Sequence, residues 1–221
     1  MKLSIIIPVL NEADTVQFLL DSLQKFRNKH EVIIVDGGSK DKTFEIAKTH
    51  CDKLLISERG RAKQMNTGAS HAKGDLLLFL HADTRLPNNL EELLQLSNNK
   101  KFWGRFDLRL TGDRLIFRLI EVMINLRSRI TGMATGDQAI FISKTLFEEI
   151  DGYDDIELME DIAICKRLKV FTKPFCLKSK VETSSRRWEK EGVYKTIVLM
   201  WWLRLLYFFG VSPKKLSRLY V

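Results

Sequence analysis

Carboxylates and glycines stand at the ends of successive short apolar runs in this chain. Asn11-Glu12 follows Leu3 to Val9, Asp36-Gly37-Gly38-Ser39 follows Glu31 to Val35, and His81-Ala82-Asp83 follows Asp75 to Leu80. Asp36 can accept hydrogen bonds from a base or a ribose, and the glycines beside it let backbone approach a ligand closely. Asp83 closes a run of Leu and Phe, where a carboxylate suits Mg²⁺ or Mn²⁺ shared with a diphosphate. Arg59, Arg61 and Lys63 carry charge suited to phosphates. Further on, Glu160-Asp161 opens a helical pattern. Such a pair can supply a general base for a hydroxyl, or merely acidic charge that complements a helix N-terminus. One aspartate after a strand is commonly only a helix cap. Three polar clusters at successive strand ends favour one shared site, because open α/β sheets bind ligands outside the carboxyl ends of their strands.

The apolar runs alternate with helical spacing. Strands are predicted at Leu3 to Val9, Glu31 to Val35, Lys53 to Ser57 and Asp75 to Leu80. Helices are predicted between them at Ala13 to Phe26, Lys42 to His50 (with Asp41 as its cap) and Arg61 to Ala72. This alternation implies a mostly parallel sheet with helices on both faces. The second half is less regular. It reads as helix from Pro87 to Ser97, strand from Phe102 to Leu110, and an amphipathic, partly basic helix from Arg114 to Ile130. A strand from Gln138 to Ser143, helices at Lys144 to Ile150 and Glu160 to Lys169, and a strand from Lys178 to Ser184 follow.

Composition bounds the alternatives. The chain has 221 residues, 45% hydrophobic and 29% charged, enough for one sizeable core. Cys51, Cys165 and Cys176 are scattered and odd in number, which fits a reducing cytosol and offers neither zinc spacing nor a disulfide framework. The start lacks the pattern of a secretory signal. Gly-x-x-x-x-Gly-Lys-Ser/Thr is absent, and so is Gly-x-Gly-x-x-Gly after the first strand, which argues against P-loop and dinucleotide sites.

The net charge of +8 is unevenly placed. Residues 166–221 hold 14 Lys/Arg and three Glu, whereas residues 1–165 are slightly acidic. Within that basic quarter, Thr196 to Val211 is a run of 16 mostly apolar residues containing Arg204. A spanning helix needs about 20 apolar residues, and a central Arg costs roughly 2.5–3.5 kcal/mol on insertion. Trp201, Trp202 and Tyr207, flanked by Lys195, Lys214, Lys215 and Arg218, suit a helix lying in a membrane interface. Packing on the rest of the chain or across a homodimer is the alternative. Nucleic acid is not expected, because the basic residues are interleaved with bulky aliphatics.

Taken together these residues resemble family 2 glycosyltransferases, inverting enzymes of the GT-A fold. Ile7-Pro8-Val9-Leu10-Asn11-Glu12 looks like the family's opening. Val35 to Thr43 looks like its base-reading motif, Leu78 to Asp83 like its Asp-x-Asp segment, and Met159-Glu160-Asp161 with Arg167-Leu168 like its Glu-Asp motif. The resemblance covers about residues 3–170. It implies an α/β, Rossmann-like catalytic domain over residues 1–190, followed by a helical tail at 191–221. It also implies a hexosyltransferase-like enzyme that moves a sugar from a nucleoside-diphosphate sugar, UDP first, to an acceptor hydroxyl.

On that pattern Pro8, Asn11, Glu12, Asp36, Gly38, Arg61, Gln64, His81, Ala82 and Asp83 bind the nucleotide sugar. Gly136, Asp137, Gln138, Arg187 and Trp188 line the acceptor and diphosphate side. Asp83 holds Mn²⁺ or Mg²⁺, and Asp161, with Glu160 beside it, is the base. His81 departs from the pattern by replacing the first Asp of Asp-x-Asp. The His-Ala-Asp-Thr variant, with Gly60-Arg61-Ala62-x-Gln64-Met65-Asn66 and Ser185-Arg186-Arg187-Trp188, looks like a compact bacterial subgroup. Ser184 stands where processive relatives carry glutamine, so processivity is not implied. The apolar tail adds the expectation of a lipid-like acceptor and a cytoplasmic location at the inner face of the plasma membrane. Two rivals remain on sequence grounds. One is a catalytically inactive nucleotide-sugar-binding scaffold, favoured by His81 and opposed by the retained carboxylates. The other is a nucleotidyltransferase, opposed by Asn11-Glu12 where a glycine-rich basic loop would stand.

Overall fold

The computed structural model describes residues 1–98 and 101–220. Its frame is a sheet whose first four strands are β1 (Leu3–Val9), β2 (Glu31–Asp36), β3 (Lys53–Ile56) and β4 (Leu76–Phe79). They lie in the order β3-β2-β1-β4, all parallel. The three isoleucines of β1 show why. Ile5 and Ile7 point to one face, where they pack with Val16, Leu19 and Leu20 of α1 (Ala13–Leu23) and Ala47 of α2 (Thr43–His50). Ile6 points to the other, where it meets Ala62, Met65 and Ala69 of α3 (Arg61–Ser70). A strand buried on both faces needs an unbroken apolar run rather than alternation. Each fully buried Ile contributes roughly 1.5–3 kcal/mol.

The sheet continues through β7 (Phe141–Ser143), β6 (Trp103–Leu110), β8 (Phe175–Thr183) and β5 (Thr84–Arg85), giving the order β3-β2-β1-β4-β7-β6-β8-β5. β7 runs antiparallel to both neighbours, and β5 antiparallel to β8. Helices α6 (Lys144–Glu149) and α7 (Glu160–Phe171) cover the same face as α3, while α4 is the single turn Glu91–Leu94. Helix α5 (Leu115–Thr131) lies against β6.

Three local expectations change. The helix foreseen from Pro87 begins only at Glu91, where the Asn89 side chain accepts the Glu91 N–H, so Asn88-Asn89 forms a turn rather than a helical start. The strand foreseen from Gln138 begins at Phe141. Residues 136–138 form a 3₁₀ turn closed by a Thr135–Gln138 capping box, and Ala139 at φ 49° interrupts extension. The strand foreseen from Lys178 starts earlier, at Phe175. The two-residue β5 has no sequence periodicity and was not foreseen.

The C-terminal segment forms α8 (Arg186–Glu191), α9 (Val193–Phe208) and α10 (Pro213–Leu219). Leu203 and Leu216 are fully buried and pack with Met159 just before α7. Val193 and Ile197 share another apolar cluster with Phe117 and Ile120 of α5. Among the described residues, no helix is long and apolar enough to cross a membrane.

Candidate functional site

Parallel pairing brings the ends of β1, β2 and β4 to one edge of the sheet, and the three polar clusters with them. At the end of β2, Asp36 is buried. Its Oδ1 accepts the N–H groups of Gly38 and Ser39, each at 2.7 Å, which shapes the turn. Its other oxygen, Oδ2, is buried and has no hydrogen-bond partner among the described residues. Gly38 takes φ 90°, a conformation that costs a side-chain-bearing residue energy. Asn11, at φ 55°, accepts the Lys40 N–H and donates its own N–H to Ser39 Oγ. The Glu12 N–H reaches Thr43 Oγ1 at the start of α2, while its carboxylate takes the Thr15 hydroxyl. Asp41 links the first turns of α1 and α2 by accepting from Ala13 and Thr43. Pro8 is half-buried within β1.

Gln64 was expected among the nucleotide-sugar ligands, but it lies beneath the site. Its amide donates to the carbonyls of Val9 and Val35, both at 2.8 Å, and staples the ends of β1 and β2 together. Lys63 is likewise not free for phosphate, being drawn to Glu58 and Asp155. Arg59 is exposed. Arg61 instead faces the second carboxylate pair, donating to Glu160 at 3.0 Å. Burial works against the Arg61 charge, but Glu160, Tyr220, Asp137 and Asp161 outweigh it and hold the guanidinium firmly ionised.

Met159 at φ 70° turns the chain into α7, so Glu160 and Asp161 occupy the helix's first turn. Asp161 Oδ1 accepts the Ile162 N–H at 2.7 Å, and Oδ2 accepts the Gly136 N–H at 3.1 Å. Burial, and then the charge of Glu160, push the Asp161 carboxyl above its ordinary value, against the pull of Arg204 and the two N–H donors. A carboxylate with raised proton affinity is suited to base catalysis. Gly136 is needed for a second reason. A Cβ there would strike the His81 imidazole. His81 Nδ1 in turn lies 3.1 Å from Asp137 Oδ1. His81 is thus joined to a carboxylate supplied from another loop. Burial raises the Asp137 carboxyl, but His81, Arg61 and Arg204 more than reverse this and hold it low. Asp137 is exposed, with 54% of its side chain open to solvent. Arg61, His81, Gly136, Tyr153, Glu160 and Asp161 line one concavity.

Ala82 is buried in the core, and Asp83 beyond it is exposed, with the Thr84 hydroxyl 3.4 Å from its carboxylate. The Asp83 carbonyl accepts the Ser184 N–H, so the segment leading to Arg187 starts beside Asp83. The side chain of Arg187 lies outside the described residues. Two expected acceptor-side residues are elsewhere. Gln138 is buried and bonded to Thr135, Asn125 and Ser128, tying its turn to α5. Trp188 packs with Leu108, Leu110 and Phe117.

Tyr153 at the cleft and two arginines near Asp161 were not among the expected site residues. Arg204 of α9 and Arg127 of α5 both lie within the field of Asp161. Burial lowers both, Arg127 to about 10 with Arg204 adding to the effect. Arg127 Nε and Nη2 are buried without a partner among the described residues. The one signal for Arg204 was its isolation in an apolar run, which had been read as a membrane penalty. Tyr207, foreseen at a membrane interface, is instead part of the inner cluster, under Lys166. A larger cavity of about 410 Å³ between α3 and α6 contains none of these carboxylates.

Comparison with known proteins bears on this cleft. A glycosyltransferase from Mycobacterium bovis, named for PGL/p-HBAD biosynthesis, is 34% identical over 142 residues, covering 52% of this chain and 54% of the relative. The chain thus spans about half the length of this curated relative. A Staphylococcus aureus TarS fragment solved with UDP-GlcNAc has a TM-score of 0.67 at 20% identity, covering 83% of this chain and 58% of that one. A Pyrobaculum calidifontis mannosyltransferase solved with GDP-Man and Mn²⁺ has a TM-score of 0.60 at 21% identity, covering 81% and 56%. These two likenesses show a shared GT-A fold. The family model described as glycosyl transferase family 2 matches residues 4–151, two thirds of the chain and three of its four carboxylate motifs, and the chain belongs to that family.

Proposed function

We propose that this protein transfers a sugar from a nucleoside-diphosphate sugar, UDP first, to an acceptor hydroxyl, with inversion at the anomeric carbon. The observation that carries the reading is Asp161, fixed at the cleft by the Gly136 N–H while burial and Glu160 raise its proton affinity. Asp161 takes the hydroxyl proton as that oxygen attacks the anomeric carbon. The bond from that carbon to the diphosphate oxygen breaks, and attack opposite the leaving group inverts the configuration. Glu160 is committed to Arg61 and so positions its neighbour rather than competing with it. The unpartnered Asp36 Oδ2 takes a base or ribose donor, and the Asn11, Gly38 and Ser39 loop shapes its pocket.

A divalent cation fits Asp83, because such ions are commonly held by one or two carboxylates plus substrate phosphates. The exposed Asp83 carboxylate has only the weak Thr84 contact to give up. Bound there, Mn²⁺ or Mg²⁺ supplies charge to the leaving diphosphate. The mannosyltransferase complex with Mn²⁺ supports a divalent cation in general, and the TarS complex with UDP-GlcNAc supports the donor class. The apolar C-terminal helix supports a lipid-like acceptor met at a membrane face.

The test combines a panel of nucleotide sugars with Asp161→Asn. Turnover falls by about 10²–10⁴-fold, the usual worth of general base catalysis, while thermal protection by the donor is unchanged. Full turnover in Asp161→Asn removes that residue from the chemistry. Absence of protection by every nucleotide sugar in the panel overturns the donor class.

A further inference from the structure

The large apolar side chains left exposed are concentrated. Among the described residues, 13 of the 19 belong to α5, α9 or the residue after α9. On α5 they are Leu115, Leu119, Val122, Leu126 and Ile130, with Met123 beside them. Steps of three and four place the first five on one helical stripe. On α9, Tyr194, Val198, Trp201, Leu205 and Phe208 form a second stripe by the same spacing, with Trp202 and Phe209 alongside.

The two stripes lie opposite a shared inner cluster. Phe117, Ile120 and Ile124 of α5 and Val193 and Ile197 of α9 meet in one apolar cluster on β6. The exposed stripes are those turned away from it. Further along the inner sides, Arg127 and Arg204 come within the field of Asp161. The two helices therefore show an apolar face outward, and each brings an inner arginine within the field of Asp161.

The surrounding charge selects what covers that face. Apart from the inner Arg204, residues 193–221 contain Lys195, Lys214, Lys215 and Arg218, all exposed, and no acidic residue. In a two-fold dimer the same patch meets itself, so basic residues would face basic residues. A bilayer carrying anionic lipid complements them. Trp201, Trp202 and Tyr194 have the amphipathic rings favoured at headgroup depth.

We infer that α5 and α9 together form a docking face for an anionic membrane surface, on which both helices lie in the interface plane. The face is not the tail alone: α5 belongs to the catalytic fold, so docking orients the cleft as well as tethering the chain. This deepens the lipid-acceptor reading above. It rests on that reading only for the use to which docking is put.

The test is vesicle flotation of the full chain with phosphatidylcholine alone or mixed with phosphatidylglycerol. Wild type floats with the mixed vesicles, more weakly as salt is raised, and little with phosphatidylcholine alone. Leu119→Glu with Leu126→Glu, both on the exposed α5 stripe, lowers binding by at least about tenfold, the scale expected for withdrawing two leucines from an apolar phase. Trp201→Glu lowers it as well. Melting temperature and donor protection in solution stay at wild-type values in these variants, which separates loss of docking from loss of fold or of the transfer site. Wild-type flotation of the α5 variant overturns the two-helix face. Equal binding to uncharged vesicles overturns the charge selection. A dimer in light scattering that these substitutions dissociate, without vesicle binding by wild type, assigns the face to a second copy and overturns the proposal.

Discussion

At Asp161 burial and the neighbouring Glu160 both disfavour charge, and the carboxyl is held above its ordinary value. Below about pH 4, near the unfolded aspartate value, folded and unfolded chains both carry the proton, and the group costs no stability. As pH rises the unfolded chain releases its proton first, so stability falls until the folded carboxyl has also titrated. Asp161→Asn is uncharged throughout. We expect it to melt with wild type near pH 4 and above wild type near neutral pH, while turnover collapses. Melting curves on both proteins across that window check this. A uniformly lower melting temperature would instead mark a simple helix-start charge, worth about 0.3–1 kcal/mol. Asp83 makes a different demand. Asp83→Asn is expected to weaken Mn²⁺-dependent donor binding by at least the order of 10–100-fold seen for loss of an outer-shell partner. His81→Ala should leave a metal requirement in place. Metal titrations with and without chelator distinguish them. Asp83 was legible because it ends an apolar run. The pairing of His81 with Asp137 was not, because 56 residues separate them and only the tertiary fold closes the gap.

Among the elements, the short turn at 136–138 has the most work for its size. Its first residue donates an N–H to Asp161 and packs against His81, and its second pairs with His81. Gly136→Ala forces the imidazole aside. Overpacking of this kind costs roughly 1–3 kcal/mol, and we expect a lower melting temperature together with a loss of turnover. Combining Gly136→Ala with His81→Ala should recover most of the melting temperature, since the two side chains compete for one space. Additive losses in the double variant would show that the clash is not the cause. The strand expected from Gln138 overlapped the last residue of this turn. Capping-box chemistry between Thr135 and Gln138 outweighed the apolar pattern that follows. Gln64 gives the matching lesson on α3. A buried amide holding the carbonyls of Val9 and Val35 looks, in sequence, the same as one reaching for a ligand.

For the whole molecule, the question is whether residues 191–221 are an appendage. Leu203 and Leu216 are buried against Met159, the residue before the carboxylate pair. We expect truncation after Gly192 to lower the melting temperature by several degrees, since each fully buried leucine is worth roughly 1.5–3 kcal/mol. Turnover should fall with it, because Arg204 is lost from the field of Asp161. Thermal melts and donor titration of the truncated chain measure both. An unchanged melting temperature would make the segment an independent attachment. The basic bias of the C-terminal quarter thus has two destinations, with Arg204 in the field of Asp161 and Lys195, Lys214 and Lys215 left at the exposed surface.

What the sequence by itself determined is the part governed by local period and by contiguous motifs. Unbroken runs such as Ile5-Ile6-Ile7 can be satisfied only between two layers, and the alternation of such runs with helices allows little but a parallel sheet whose strand ends gather Asn11, Asp36 and Asp83. The tertiary structure decided which polar groups at that edge face outward and which brace it from below. It turned Arg204 and Arg127 inward, sent Gln64, Gln138 and Trp188 into supporting roles, and placed His81 against Asp137. Those outcomes depend on burial and on partners distant along the chain, and neither leaves a period or a spacing that one strand or helix can show.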